Sequence, residues 1–234
     1  MTTARVAFPA LGTTATLHVE AGDPTAIITA ARALISDLQA ELAPRVPRAR
    51  PTRHVTPGAA TTTLVAAALR ARHDTGGAFD PTDELDLSGI AKGYIADRVR
   101  DLASSMGATG ALVDLGSSSI SVLGRRPDGA PWRIALRNPG GPRTQAIGTV
   151  TLTSGALSTS SNDERRHIPN SQADQATVVA ADGMTAEIWS TALMVLGPSA
   201  LIDRWSRNAP WQALIVTGAT IMTTPGFPWT PGVR

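Results

Sequence analysis

Asp86-Leu87-Ser88-Gly89-Ile90-Ala91-Lys92-Gly93-Tyr94-Ile95-Ala96-Asp97 is the stretch at which the chain leaves a loop and enters a helix. Ser88 reads as the N-cap, and Gly89 lets another group approach the backbone closely. The helix then runs from Ile90, with Ile95, Val99, Leu102 and Met106 on its buried face, and stops at Gly107. Mostly strand follows, at 110–115, 118–124, 131–137, 148–153 and 176–181. Helices at 184–196 and 199–207 precede a last strand pair at 211–217 and 219–223. Upstream, residues 5–8 and 13–20 read as strands about the turn Pro9-Ala10-Leu11-Gly12. Asp23-Pro24 opens a helix through about Leu42, and Thr61 to His73 forms a shorter one closed by Gly76-Gly77. Helices inserted among consecutive antiparallel strands predict an α+β fold, not a doubly wound sheet. Neither a repeat nor a separating linker is visible, so 1–234 is read as one domain or two intimately packed subdomains.

Composition narrows the function classes. The 234 residues suffice for a proper core, and 42% hydrophobic with 17% charged residues is an ordinary globular balance. A net charge of +2 gives no support to nucleic-acid binding. With no cysteine there is no disulfide, thiolate metal site, cysteine nucleophile or lipid-anchored cysteine. No stretch is apolar enough to span a bilayer and the N-terminus lacks an apolar leader core, so the expected setting is cytoplasmic, without membrane insertion. Residues 43–60, rich in Pro, Arg and Thr, read as a solvated surface loop.

Lys92 is the only lysine among 21 Lys and Arg side chains, which leaves 20 arginines. A lysine persisting where arginine otherwise serves suits a compact point charge against a phosphate. At a helix start it would meet a phosphate together with backbone N–H groups and the positive dipole end. A capped helix with an exposed lysine is the plainer alternative, and no Walker A loop is present. Glu187 and Thr191 are four residues apart on one helix face, opposite Ile188, Trp189, Ala192, Val195 and Leu196. A carboxylate and a hydroxyl one turn apart make a hard-cation half-site of the kind Mg²⁺ prefers, or simply a half-exposed polar stripe. Gly76-Gly77-Ala78-Phe79-Asp80-Pro81 offers a turn against a flat ligand, or a tight loop. Residues 157–167 crowd hydroxyls, acids and His167 together, without a G-x-S-x-G elbow. His18, His54 and His73 lack ligand-like spacing.

Taken in order, these segments resemble the ApbE family of flavin transferases, the FAD:protein FMN transferases. Leu11-Gly12-Thr13 is similar to its M-G-T, Gly77 to Pro81 to its G-A-F-D-P, and Asp86 to Asp97 to its D-L-G-G-I-A-K-G-Y-A-V-D. Leu112-Val113-Asp114-Leu115-Gly116 with Pro131-Trp132-Arg133-Ile134 resembles L-V-N-L-G-G…P-W-x-V. Ser158-Thr159-Ser160 falls at T-S-G, His167-Ile168 at H-I-x-D-P-x-T-G, and Ala186 to Gly197 at A-D-A-x-A-T-A-L-x-V-L-G. The chain departs from the pattern at Glu187, where the family carries aspartate, and after Ile168. It also lacks the family's aromatic motif in 43–60 and its longer insertion between Pro81 and Asp86.

The resemblance implies transfer of FMN from FAD to a threonine or serine hydroxyl of an acceptor flavoprotein, with release of AMP. It implies FAD contacts at Leu11, Ala78, Phe79, Asp80 and Lys92, and Mg²⁺ held by the Gly89 carbonyl, Glu187 and Thr191. Lys92 would offset phosphate charge, and His167 would handle the acceptor proton. The alternatives on the same scaffold are an FAD pyrophosphatase giving FMN and AMP, and a non-catalytic flavin-binding protein.

Overall fold

The computed structural model describes residues 1–42, 58–80, 87–142, 144–162, 168, 170–206 and 209–232, with no side chains beyond Leu201 in the 170–206 segment. His54, His167, Asp86 and most of the 43–60 loop lie outside the described residues.

Among the described residues, two antiparallel sheets and four helices are arranged in layers. The larger sheet has eight strands. They are β1 (Thr2–Ala10), β2 (Thr13–Ala21), β3 (Gly110–Leu115), β4 (Ser119–Gly124), β7 (Ser154–Ser161), β8 (Gln175–Ala180), β9 (Trp211–Thr217) and β10 (Thr220–Thr223), side by side in that order. The smaller sheet has the order β11 (Trp229–Pro231), β6 (Ala146–Leu152), β5 (Trp132–Arg137). The helices are α1 (Pro24–Leu42), α2 (Ala59–Asp74), α3 (Ser88–Ser105) and α4 (Gly183–Ser206). This is the expected α+β architecture, and no helix among the described residues is long and apolar enough to cross a membrane.

The period-2 alternation of the strands sorts their side chains onto two faces. Leu17 of β2 with Val113 and Leu115 of β3 packs under Ile35 of α1 and Ile95 and Val99 of α3. On the same face, Ala176 and Val178 of β8 meet Leu193 and Met194 of α4. The opposite face at β4, β7 and β9 turns Ile120, Val122, Leu157 and Leu214 against Trp132, Ile134 and Val150 of the smaller sheet. Each such fully buried Leu, Ile, Val or Met side chain contributes about 1.5–3 kcal/mol.

Local corrections have physical reasons. Residues 154–161, not among the strands read from the sequence and overlapping the hydroxyl-rich run 157–167, form the interior strand β7, because Ser158 and Ser160 find hydroxyl partners on α4 instead of water. The short strand β11 carries too few residues to show a pattern. Helix α3 begins at Ser88, with Leu87 as its boundary residue, so Ser88 is not the cap. Met106 ends the helix and is 41% exposed, while Asp97 takes a place on the buried face. Gly197, with φ of 72° and ψ of −173°, breaks α4 ahead of Pro198, which accounts for the two helices read from the sequence.

Where α3 crosses α4, backbone meets backbone. A Cβ on Gly93 would lie 2.3 Å from the Gly183 carbonyl oxygen, and one on Gly183 would lie 2.6 Å from the Gly93 oxygen. Gly93→Ala is therefore expected to lower stability by about 1–3 kcal/mol. Gly22→Ala, with nothing within 4 Å of its Cβ position, should stay within about 0.5 kcal/mol of the parent. Urea midpoints of the two variants check this.

Candidate active site

The glycine crossing brings three elements to one place. Gly93 donates its N–H to Glu187 Oε2 at 2.8 Å, and the Ser119 hydroxyl at the start of β4 donates to Glu187 Oε1. Gly93 lies one helical turn along α3 from Gly89, so the carboxylate sits one turn from the start of that helix. Glu187 is only 4% exposed, contrary to a half-exposed polar stripe. Burial pushes its carboxyl up to about 7, against the opposing pull of Lys92, the Ser119 hydroxyl and the Gly93 N–H.

Lys92 turns inward to the loop between β3 and β4 and donates from Nζ to Ser118 Oγ at 2.5 Å. Its charge also acts on Glu187 and Asp114. It is no stray surface lysine. The Ile90 and Ala91 N–H groups both donate to the Leu87 carbonyl, so they are not the open donors expected from the sequence, and Lys92 sits just past the first turn.

Asp97, one turn beyond Gly93, locks the same crossing. Its Oδ2 accepts the Gly183 N–H at 2.7 Å, and its Oδ1 accepts from Ser121 Oγ at 2.7 Å and from Arg100 at 2.9 Å. Burial pushes the Asp97 carboxyl up, while these hydrogen bonds and Arg100 oppose the shift. One turn along α4, Thr191 Oγ1 lies 3.3 Å from Ser160 Oγ, and Ser190 contacts both Ser160 at 2.9 Å and Ser158 at 3.1 Å. A row of hydroxyls thus runs from β7 onto the face of α4 that carries Glu187.

The remaining expected residues are distributed around this centre. Phe79 is buried under the first turn of α3, where a Cβ on Gly89 would sit 3.4 Å from its ring, and its N–H donates to Thr75 Oγ1. Ala78 packs in the same cluster, and Asp80 accepts from Arg72 Nε at 2.8 Å. Leu11 holds a positive φ of 54° at the tip of the β1–β2 turn, pinned by its N–H to Gln39. That turn reaches the β3–β4 loop, since a Cβ on Gly116 would meet Thr13 Oγ1 at 2.6 Å. Lys92, Glu187 and the Gly89 turn come together, with Thr191 one helical turn away. Ser118 and Ser119 were not singled out from the sequence, and Ser160 and Asp97 entered only as members of the 158–160 and 86–97 motifs, with no role of their own. Single hydroxyls carry no pattern, and nothing near Asp97 in the chain signals its distant partner Gly183.

A family model described as the ApbE family matches residues 83–215, more than half of the chain. The chain belongs to the ApbE family. Among curated relatives, a FAD:protein FMN transferase of Klebsiella pneumoniae (strain 342) is 36% identical over 134 residues, covering 50% of this chain and 40% of that protein. One from Escherichia coli (strain K12) is 30% identical over 131 residues, covering 49% and 37%. These matches thus span about two fifths of each relative's length. In overall fold the chain is similar to the ApbE protein of Thermotoga maritima MSB8, with a TM-score of 0.84 at 24% identity over 97% of this chain and 98% of that one. The flavin transferase ApbE of Vibrio cholerae gives 0.79 at 19% identity, over the same shares. The ApbE match encloses Lys92, Glu187 and every hydroxyl of the row.

The raised Glu187 pKa has a definite sign. The folded state keeps the proton that the unfolded chain sheds near 4.5, so the stability this group contributes is fully present below pH 4.5 and is lost as pH rises to about 7. The loss is on the order of a few kcal/mol. Glu187→Gln should flatten this window, as checked by urea midpoints across pH 4–8 in the presence of EDTA.

Proposed function

We propose that this ApbE-family chain transfers FMN from FAD to a threonine or serine hydroxyl of an acceptor flavoprotein, releasing AMP. The observation that carries the reading is the closeness of a half-buried, inward-turned Lys92 to the buried Glu187 carboxyl at the α3–α4 crossing. Such a pair offers a cation for phosphate oxygens and an oxygen ligand for a metal within one enclosure. The acceptor oxygen attacks the phosphorus of the FMN half as the phosphoanhydride bond to AMP breaks, and AMP departs with the bridging oxygen.

The donor set fits Mg²⁺ in its chemistry. It consists of a carboxylate, the Gly89 carbonyl and the Thr191 hydroxyl, all hard oxygens. Each Glu187 oxygen accepts one hydrogen bond and keeps a further lone pair for a ligand. A bound Mg²⁺ would supply Lewis-acid stabilisation to the pyrophosphate. Desolvation is what holds the Glu187 proton on, and a cation beside it would favour the ionised form.

The chain's own residues do the remaining work. Lys92 stabilises charge on the phosphate oxygens, with Ser118 fixing its ammonium. Asp97 and the glycine pair hold α4 so that Glu187 faces the first turn of α3. Leu11, Ala78, Phe79 and Asp80 are proposed to border FAD, Phe79 from beneath Gly89 and Asp80 from its Arg72 ion pair. His167 is proposed to accept the acceptor hydroxyl's proton.

Incubation with FAD, Mg²⁺ and an acceptor flavoprotein domain is expected to give a covalent FMN mass shift and free AMP. Lys92→Ala and Glu187→Ala should each lower the rate roughly 10²–10³-fold. AMP release without acceptor labelling would replace the reading with FAD hydrolysis, and tight FAD binding with no AMP would leave a binding protein. EDTA should abolish AMP release, with recovery on added Mg²⁺ and not on added Na⁺; turnover undiminished by EDTA would remove the metal from the proposal.

A further inference from the structure

A cleft of about 530 Å³ opens on the side of the larger sheet away from the helices. Its floor takes alternate residues from three neighbouring strands: Thr3 and Arg5 of β1, Thr16 and His18 of β2, Leu112 and Asp114 of β3. Alternate residues mean that a sheet face forms the floor, and the pairing Arg5–His18–Leu112 lays three of them on one rung. The wall differs. Four consecutive β5 residues, Trp132 to Ala135, line it, so the strand presents its edge. That edge has no strand partner among the described residues, because β5 is the last strand of the smaller sheet. An unpaired edge beside a sheet face is a template for one more extended strand.

Charge states which strand would fit. Three arginines border the cleft, Arg5, Arg126 and Arg133, against the single acid Asp114. Arg126 is paired with Asp128 at 2.9 Å, whereas Arg5 and Arg133 are exposed and have no ion pair among the described residues. His18 packs edge-on against Trp132 at 6.0 Å; burial and Arg5 hold its pKa below the usual histidine range, which leaves the positive charge to the arginines. Leu112, Ile120 and Ile134 supply an apolar stripe between the charged groups.

We infer that this cleft docks an extended, acidic polypeptide segment, which pairs its backbone with the β5 edge and its carboxylates with Arg5 and Arg133. The cleft ends at Asp114 and Ser117, and Ser117 N–H donates to Asp114 Oδ1 at 2.6 Å. The next residue, Ser118, receives Lys92. A segment lying in the cleft is thereby led toward the lysine, which makes it a segment of the acceptor; this last link rests on the transferase reading, and the docking itself does not.

The test is fluorescence anisotropy without FAD, using a short fluorescein-labelled peptide of alternating threonine and glutamate. The peptide should bind, with roughly tenfold weaker affinity in the Arg5→Glu/Arg133→Glu double variant and progressive loss with salt. Its lysine counterpart should not bind, and N-methylation of one alternate set of its backbone amides should abolish binding. Circular dichroism melts confirm that the double variant is folded, as expected for two exposed positions. The proposal is overturned if acidic and lysine peptides bind alike, if the double variant binds as well as the parent, or if both N-methylated sets still bind. It is equally overturned if inorganic phosphate binds the arginines and the peptide does not. Lys92→Ala should bind the peptide normally; a protein that binds it yet transfers no flavin loses the transferase reading and keeps the cleft.

Discussion

The backbone contact between Gly93 and Gly183 is the constraint on which the site depends. With any side chain between them, α4 would stand farther from α3, and Glu187 would no longer reach the Gly93 N–H. Asp97 secures the same contact from the next turn by accepting the Gly183 N–H. The crossing therefore does two things at once. It packs two helices above the sheet, and it holds a carboxylate away from water beside the start of α3.

Holding that carboxylate has an energetic consequence. Desolvation of Glu187 outweighs the attraction of Lys92 and two hydrogen bonds, so its ionised form is disfavoured below about pH 7. A fold selected for stability alone would place an apolar residue there. The strain is local, because the surrounding groups are satisfied: Ser119 and Gly93 donate to Glu187, while Ser121 and Arg100 donate to Asp97. Lys92 serves this enclosure as a point charge on a flexible stem, small enough to rest on Ser118, where a planar guanidinium would need a wider opening.

Much of the architecture was legible from residue patterns. Alternation in β2, β3 and β5 and the helical spacing of Ile27, Ala31 and Ile35 in α1 are local signals, repeated often enough to be read without contacts. The break at Gly197 was visible for the same reason, since glycine ahead of proline ends a helix whatever lies around it. Strand β7 was not visible as one. Its run of serines and threonines carries a solvent-like signature, and it is interior only because α4 supplies Ser190 and Thr191 as partners. Met106 failed in the opposite sense: its spacing fitted the buried face, but the helix ended at Ser105 and turned it outward.

The sequence by itself determined which chemical groups are present and in what order. One lysine follows a glycine at a helix start, a glutamate and a threonine are spaced by one helical turn, and the motifs occur in the order of the ApbE family. Those are properties of the chain and survive any folding. Only the tertiary structure decided that Glu187 is buried, that Lys92 turns inward to Ser118, and that the edge of β5 lies along the arginine-bearing face of β1 to β3. Burial, direction and proximity are set by elements far apart in sequence, such as Gly93 and Gly183. Local spacing carries no information about how closely two helices approach.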